Sequence, residues 1–147
     1  MISWFDERKI GDFQDRAAFF YNGSSWSRKR LDVEAAKVAG FLLDRGAEKG
    51  TLKVATLMGN SMEMLAVILG VWRSGNVWVP LEKSAGPAFN RSVLDACGVR
   101  IVVADESCID EYDGALTYDE IPAGYHKGVE TLEQDLAYII HTSGTTG

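Results

Sequence analysis

Cysteine is nearly absent from this sequence: Cys97 and Cys108 are the two in 147 residues. Their spacing fits neither a zinc-binding pattern nor a redox C-x-x-C pair. Two thiols build no disulfide framework, which points to a reducing, cytoplasmic setting. Cys97 stands among apolar residues and reads as a small core residue. Basic charge is also short, with 15 Lys and Arg against 21 Asp and Glu, a net charge of −6 and a pI near 4.9. That balance argues against nucleic-acid or anionic-membrane binding, which need a basic surface. The one basic cluster, Arg28-Lys29-Arg30, is too short to reverse this and reads as a solvated turn. Long apolar runs are missing too. The most apolar stretch, Met62 to Trp72, is too short to span a bilayer. The N-terminus, MISWFDERKIGDF, is charged where a secretory signal would be apolar. No repeat or low-complexity segment is visible. Asp105-Glu106 and Asp110-Glu111 lack metal-ligand spacing and read as a solvated loop. His126 is a lone, exposed histidine.

What is present suffices for a globular domain with a core: 46% hydrophobic and 24% charged residues. Residues 17 to 31 read as a β-hairpin turning at Asn22-Gly23. Asp32 then offers an N-cap for a helix that ends at Gly46. Val33, Ala36, Gly40 and Leu43 share one face of it, and Gly40 is a candidate for close backbone approach. Leu52 to Met58 is a strand. Gly59-Asn60 closes it and Ser61 caps the next helix. That helix is apolar almost all round from Met64 to Trp72, so it should be buried on more than one side. Trp72 and Trp78 are read as core residues. Val77 to Leu81 is a strand that Pro80 ends or confines to an edge. A helix from Pro87 to Ala96 stops at Gly98, and Val99 to Ala104 is a further strand. Glu106 to Gln134 is a weakly patterned stretch with at most a short strand near Leu116. Leu136 to Ile140 is the last strand. Apolar strands alternating with helices specify an α/β fold: a β-hairpin followed by βαβ units in a mostly parallel sheet with helices on both faces. Ligands in such folds bind beyond the carboxyl ends of the strands.

The final strand runs into Thr142-Ser143-Gly144-Thr145-Thr146-Gly147, four hydroxyls and two glycines in six residues. Glycines let backbone N–H groups approach a ligand, and successive N–H groups make an anion nest. The hydroxyls add donors, so a phosphate cradle is chemically reasonable. It is not a Walker A loop, because no Gly-Lys-[Ser/Thr] follows. A Ser/Thr-rich surface loop is the plain alternative on composition alone.

"LAYIIHTSGTTG" resembles the phosphate-loop signature of the adenylate-forming, AMP-binding superfamily, which includes acyl-CoA synthetases, peptide-synthetase adenylation domains and luciferases. All seven residues from His141 to Gly147 match it. The stretch from Arg30 to Glu82 resembles the family's opening helix, its strand ending near Gly-Asn-Ser, and its Gly-x-x-[Tyr/Trp]-Val-Pro-Leu segment. "CGVRIVVAD" resembles the strand that follows. A departure comes after Leu81, where Glu82-Lys83 replaces the usual acid or Asn followed by a second proline.

The resemblance implies that Thr142, Ser143, Gly144, Thr145, Thr146 and Gly147 hold ATP phosphates, with His141 supporting the loop or touching substrate. It implies ATP with Mg2+, a small carboxylic acid as substrate, and CoA or carrier-protein phosphopantetheine as thiol acceptor. Among the family's branches, the acyl-CoA synthetase type of fatty acid metabolism is the expectation. The family's later lysines, adenine- and ribose-binding segments and C-terminal domain have no match here. Residues 1–147 are therefore expected to be one incomplete domain, the N-terminal portion of such a ligase, with no catalytic residue within the chain and no turnover alone. The rival readings are an inactive remnant, a peptide-synthetase adenylation fragment, and a nonenzymatic α/β module that binds a phosphate-bearing ligand.

Overall fold

A computed structural model describes residues 15–45, 52–124 and 135–141. Asn22 and Gly23 both take positive φ (47° and 77°). That is the type I′ turn whose twist suits a two-residue hairpin. Strands β1 (Ala17–Tyr21) and β2 (Ser24–Ser27) pair antiparallel around it.

Helix α1 (Arg28–Asp44) begins earlier than Asp32. Ser27 is its N-cap, the hydroxyl oxygen accepting from the Arg30 N–H at 3.1 Å. The basic cluster is therefore the helix's first turn rather than a loop. Three cations at a helix N-terminus oppose the macrodipole, which is why the residue pattern points to a later start. Arg30 is instead engaged by the Trp26 ring at 4.3 Å, and Lys29 lies 3.7 Å from Asp15. Asp32 caps nothing and holds a tertiary contact instead. Its carboxylate accepts from Arg73 at 2.6 Å, tying the start of α1 to the end of α2. The buried side of α1 is also rotated from the expected face. Ala36 and Gly40 are buried, but Val33 is 48% exposed and Leu43 only half-buried. Gly46, the expected stop, lies outside the described residues.

Strand β3 (Lys53–Leu57), helix α2 (Met62–Arg73), strand β4 (Val77–Pro80), helix α3 (Pro87–Cys97) and strand β5 (Ile101–Ala104) follow in order. Ser61 caps α2, accepting from the Met64 N–H at 3.0 Å, and α3 runs from Pro87 to a cap at Gly98. The sheet order is β4-β3-β5, all parallel. Val38, Phe41 and Leu42 of α1 and Val67 and Val71 of α2 pack with Val54, Ile101 and Val103 on one face of the sheet. Val93 and Cys97 of α3 pack with Ala55, Val79 and Val102 on the other. Both faces are covered, as continuous β-branched strands require. Helix α2 is buried against more than the sheet: Met62 and Ala66 pack with Trp26 and Leu31. The close helix approach falls on Gly70 of α2. A β-carbon there would run into the β-carbon of Val38 and lie 2.8 Å from the Ala35 carbonyl oxygen.

Candidate functional site

Two segments extend the sheet by single bridges. Leu116 pairs with Val103 beside β5, and Tyr138 pairs parallel with Trp78 beside β4. The expected strand over Leu136 to Ile140 is thus shorter than its pattern. The reason is Pro80. The Trp78 N–H donates to the Ala137 carbonyl at 3.0 Å, and the Ile139 N–H donates to the Trp78 carbonyl at 2.9 Å. The next rung needs an N–H from residue 80, which proline lacks. Pairing ends there, and Ile140 and His141 leave the sheet beyond the carboxyl end of β4.

An aromatic clasp fixes the segment before it leaves. The Trp72 indole N–H donates to the Ala137 carbonyl at 2.9 Å, and the Trp78 indole N–H donates to the Thr56 hydroxyl at 2.9 Å. Trp78 meets Trp72 edge-on at 6.3 Å and Tyr138 at 6.5 Å. The expectation that both tryptophans are core residues is corrected for Trp72, which is 36% exposed. It lies at the flank of the sheet because its indole N–H has a backbone carbonyl to reach.

An open cleft of about 440 Å³ lies where the strands end. Thr56 and Met58 line it from β3 and the turn after it, Leu81 and Lys83 from the chain after β4, and Ile140 and His141 from the released segment. His141 is exposed and its Nε2 lies 3.5 Å from the Cys97 sulfur. Thr142, Ser143, Gly144, Thr145, Thr146 and Gly147 continue from His141 and lie outside the described residues, as does His126.

Asp105 is the residue that reasoning from sequence misplaced. Instead of a solvated loop acid it is a junction between strand ends. Its Oδ2 accepts from the Gly59 N–H at 2.8 Å, after β3, and from the Lys83 ammonium, after β4. The Asp105 hydrogen bond raises the Lys83 pKa above its ordinary value, partial burial opposing it. The signal was present: an acid directly after a buried strand points where the other parallel strands also end. Buried Asn76 was missed as well. It accepts from the Leu52 N–H at 3.0 Å and donates to Ser74, joining the entries of β3 and β4.

A second groove of about 370 Å³ runs between the hairpin and α2, past Phe19, Phe20, Tyr21, Leu65 and Ile68. Among the described residues no lysine or arginine lines it, so it is a poorer place for an anion. Among the described residues no group of three or more His, Cys, Asp or Glu side chains is placed to hold a metal. Among them, too, no helix is long and apolar enough to cross a membrane.

Comparison with known proteins bears on the family and the fold. The family model described as AMP-binding enzyme matches residues 6–147. A plipastatin synthase of Bacillus subtilis strain 168 is 34% identical over 139 residues, covering 90% of this chain and 5% of that protein. A surfactin synthase of the same organism is 32% identical over 155 aligned positions, covering 96% of this chain and 4% of that protein. Among solved structures, O-succinylbenzoate coenzyme A synthetase of Bacillus subtilis in complex with AMP superposes with a TM-score of 0.80 at 20% identity. That match covers 96% of this chain and 39% of the synthetase chain, and at this identity it speaks to the fold. The chain spans about a twentieth of the curated relatives it matches.

Proposed function

Because this chain belongs to the family of AMP-binding, adenylate-forming enzymes, we propose that it supplies the phosphate-holding part of an ATP-dependent, carboxylate-activating ligase. In that reaction an oxygen of the substrate carboxylate attacks the α-phosphorus of ATP, and the bond to the leaving pyrophosphate breaks. An acyl-adenylate forms. A thiol sulfur then attacks the acyl carbon and AMP departs. Magnesium belongs to this reading as part of the ATP substrate.

The observation that carries the reading is the release of Ile140 and His141 at the carboxyl end of β4, clasped by Trp72 and Trp78. The signature residues Thr142 to Gly147 follow directly. Their N–H groups and hydroxyls are the donors that the β- and γ-phosphates need. Donors fixed in place before reaction stabilise developing charge without reorganising. His141 serves in this reading as support for the loop.

For the acceptor, we favour a phosphopantetheine thiol on a carrier protein, and an amino acid as the activated acid. The support is the peptide-synthetase identity of the curated relatives at 34% and 32%. The acyl-CoA and fatty-acid branch draws its support from a fold match alone. The test is acid-dependent ATP–pyrophosphate exchange on the protein expressed in its native reading frame, with amino acids and fatty acids offered separately. Exchange with an amino acid, reduced on the order of a hundredfold by Gly144→Val, is the expected result. Exchange with fatty acids alone, followed by thioester formation on free CoA, reverses the acceptor assignment. ATP hydrolysis without any acid requirement contradicts the reading itself.

A further inference from the structure

We propose that Lys83 is a mobile clamp for the polyphosphate of ATP, exchanging its Asp105 partner for phosphate oxygens when nucleotide enters the cleft. The proposal rests on the reading of the strand-end cleft as an ATP site. Lys83 lines that cleft together with Ile140 and His141, and among the described residues it is the one lysine or arginine that does. A cation is needed there. The chain carries a net charge of −6, and the residue types of Thr142 to Gly147 offer only neutral donors to a polyanion. Glu82, the other charged residue lining the cleft, accepts from the Ser84 hydroxyl at 2.7 Å.

The Lys83–Asp105 pair is built to open. The two side chains are 42% and 37% exposed, and ion pairs at that exposure hold weakly because solvent screens them. A triphosphate offers several charges against one carboxylate. Lysine's flexible stem lets its ammonium follow the better partner. Asp105 is not stranded when Lys83 leaves, because its Oδ2 still accepts from the Gly59 N–H at 2.8 Å. The departure of Glu82-Lys83 from the usual sequence after Val-Pro-Leu therefore places a cation where the family pattern has a proline.

Calorimetric titration of the 147-residue chain with sodium tripolyphosphate, with ATP and with acetate tests this on wild type, Lys83→Met, Lys83→Arg and Asp105→Asn. Urea midpoints verify that each variant folds. Lys83→Met should weaken tripolyphosphate and ATP roughly fivefold, and Lys83→Arg should retain most of the affinity. Asp105→Asn keeps an acceptor for Gly59 but frees Lys83, so it should bind tripolyphosphate more tightly than wild type. A structural role for the pair would instead make Asp105→Asn weaken binding as Lys83→Met does, and that result overturns the proposal. Unchanged affinity in Lys83→Met, or a loss confined to acetate, also overturns it. Wild-type chain that binds neither ATP nor tripolyphosphate defeats the ATP-site reading itself, and the clamp with it.

Discussion

Gly70 decides how closely α1 and α2 approach. A methyl group there meets backbone and the β-carbon of Val38, neither of which can rotate away. Gly70→Ala should therefore cost about 1–3 kcal/mol of stability, as overpacking does, read as a lower urea midpoint. Val38→Ala should not rescue it, because the obstructing β-carbon remains. Tyr118 gives a prediction in pH. Its hydroxyl donates to Glu34 at 2.6 Å across the space between α1 and the turn at 118–120. Burial first, then that hydrogen bond, raises the phenol pKa well above its ordinary value near 10. A raised folded-state pKa stabilises the fold fully below the unfolded value and is lost as pH climbs above it. Wild type should lose stability above about pH 10, and Tyr118→Phe should flatten that alkaline limb in melts taken across pH. A limb of unchanged steepness in Tyr118→Phe would assign the loss to other groups. Neither residue's role was legible from sequence. Gly70 stands mid-helix with nothing local to mark it, and the Tyr118–Glu34 contact joins positions far apart in the chain.

At the scale of the element, local rules placed what local chemistry determines. The Asn22-Gly23 hairpin, the Ser61 cap and the Gly98 stop were readable because each is set within a few residues. The start of α1 was not, since the Trp26 ring beside Arg30 and the long-range Asp32–Arg73 contact offset the unfavourable charge at its first turn. Ser27→Ala should accordingly cost roughly 1 kcal/mol. Asp32→Ala should act on the contact with Arg73 and leave the helicity of residues 28–31 unchanged, seen by amide exchange. The 135–141 segment depends on the aromatic clasp. Trp72→Phe keeps the ring but removes the indole donor to Ala137. The Ile139 amide should then exchange faster while β3 amides stay protected. Equal protection at Ile139 would show that the Trp78 rungs alone hold the segment.

At the scale of the whole molecule, the doubly covered parallel sheet followed from the alternation of apolar strands and helices, and the cleft at the strand ends followed from the sheet. What the pattern did not carry was the wiring across strand ends. Asp105, Gly59 and Lys83 are brought together by the sheet order β4-β3-β5, which no local spacing encodes. The same scale governs solubility. Leu136, Tyr138 and Ile140 present their side chains outward at 56%, 50% and 57% exposure. Exposed apolar side chains along and just past a sheet edge invite association. The chain should self-associate with rising concentration in sedimentation velocity, and Leu136→Lys with Ile140→Lys should suppress it. A wild-type monomer at every concentration would contradict that.

In the proposed function, ATP phosphates are held just past His141, beyond the carboxyl end of β4. The most direct measurement is an amide-by-amide NMR titration of the 147-residue chain with ATP at millimolar concentration. The Gly144 and Gly147 amides should shift together with those of Ile140, His141 and Lys83. Shifts confined to the hairpin groove around Phe20 and Ile68, or no shift at all, would contradict it.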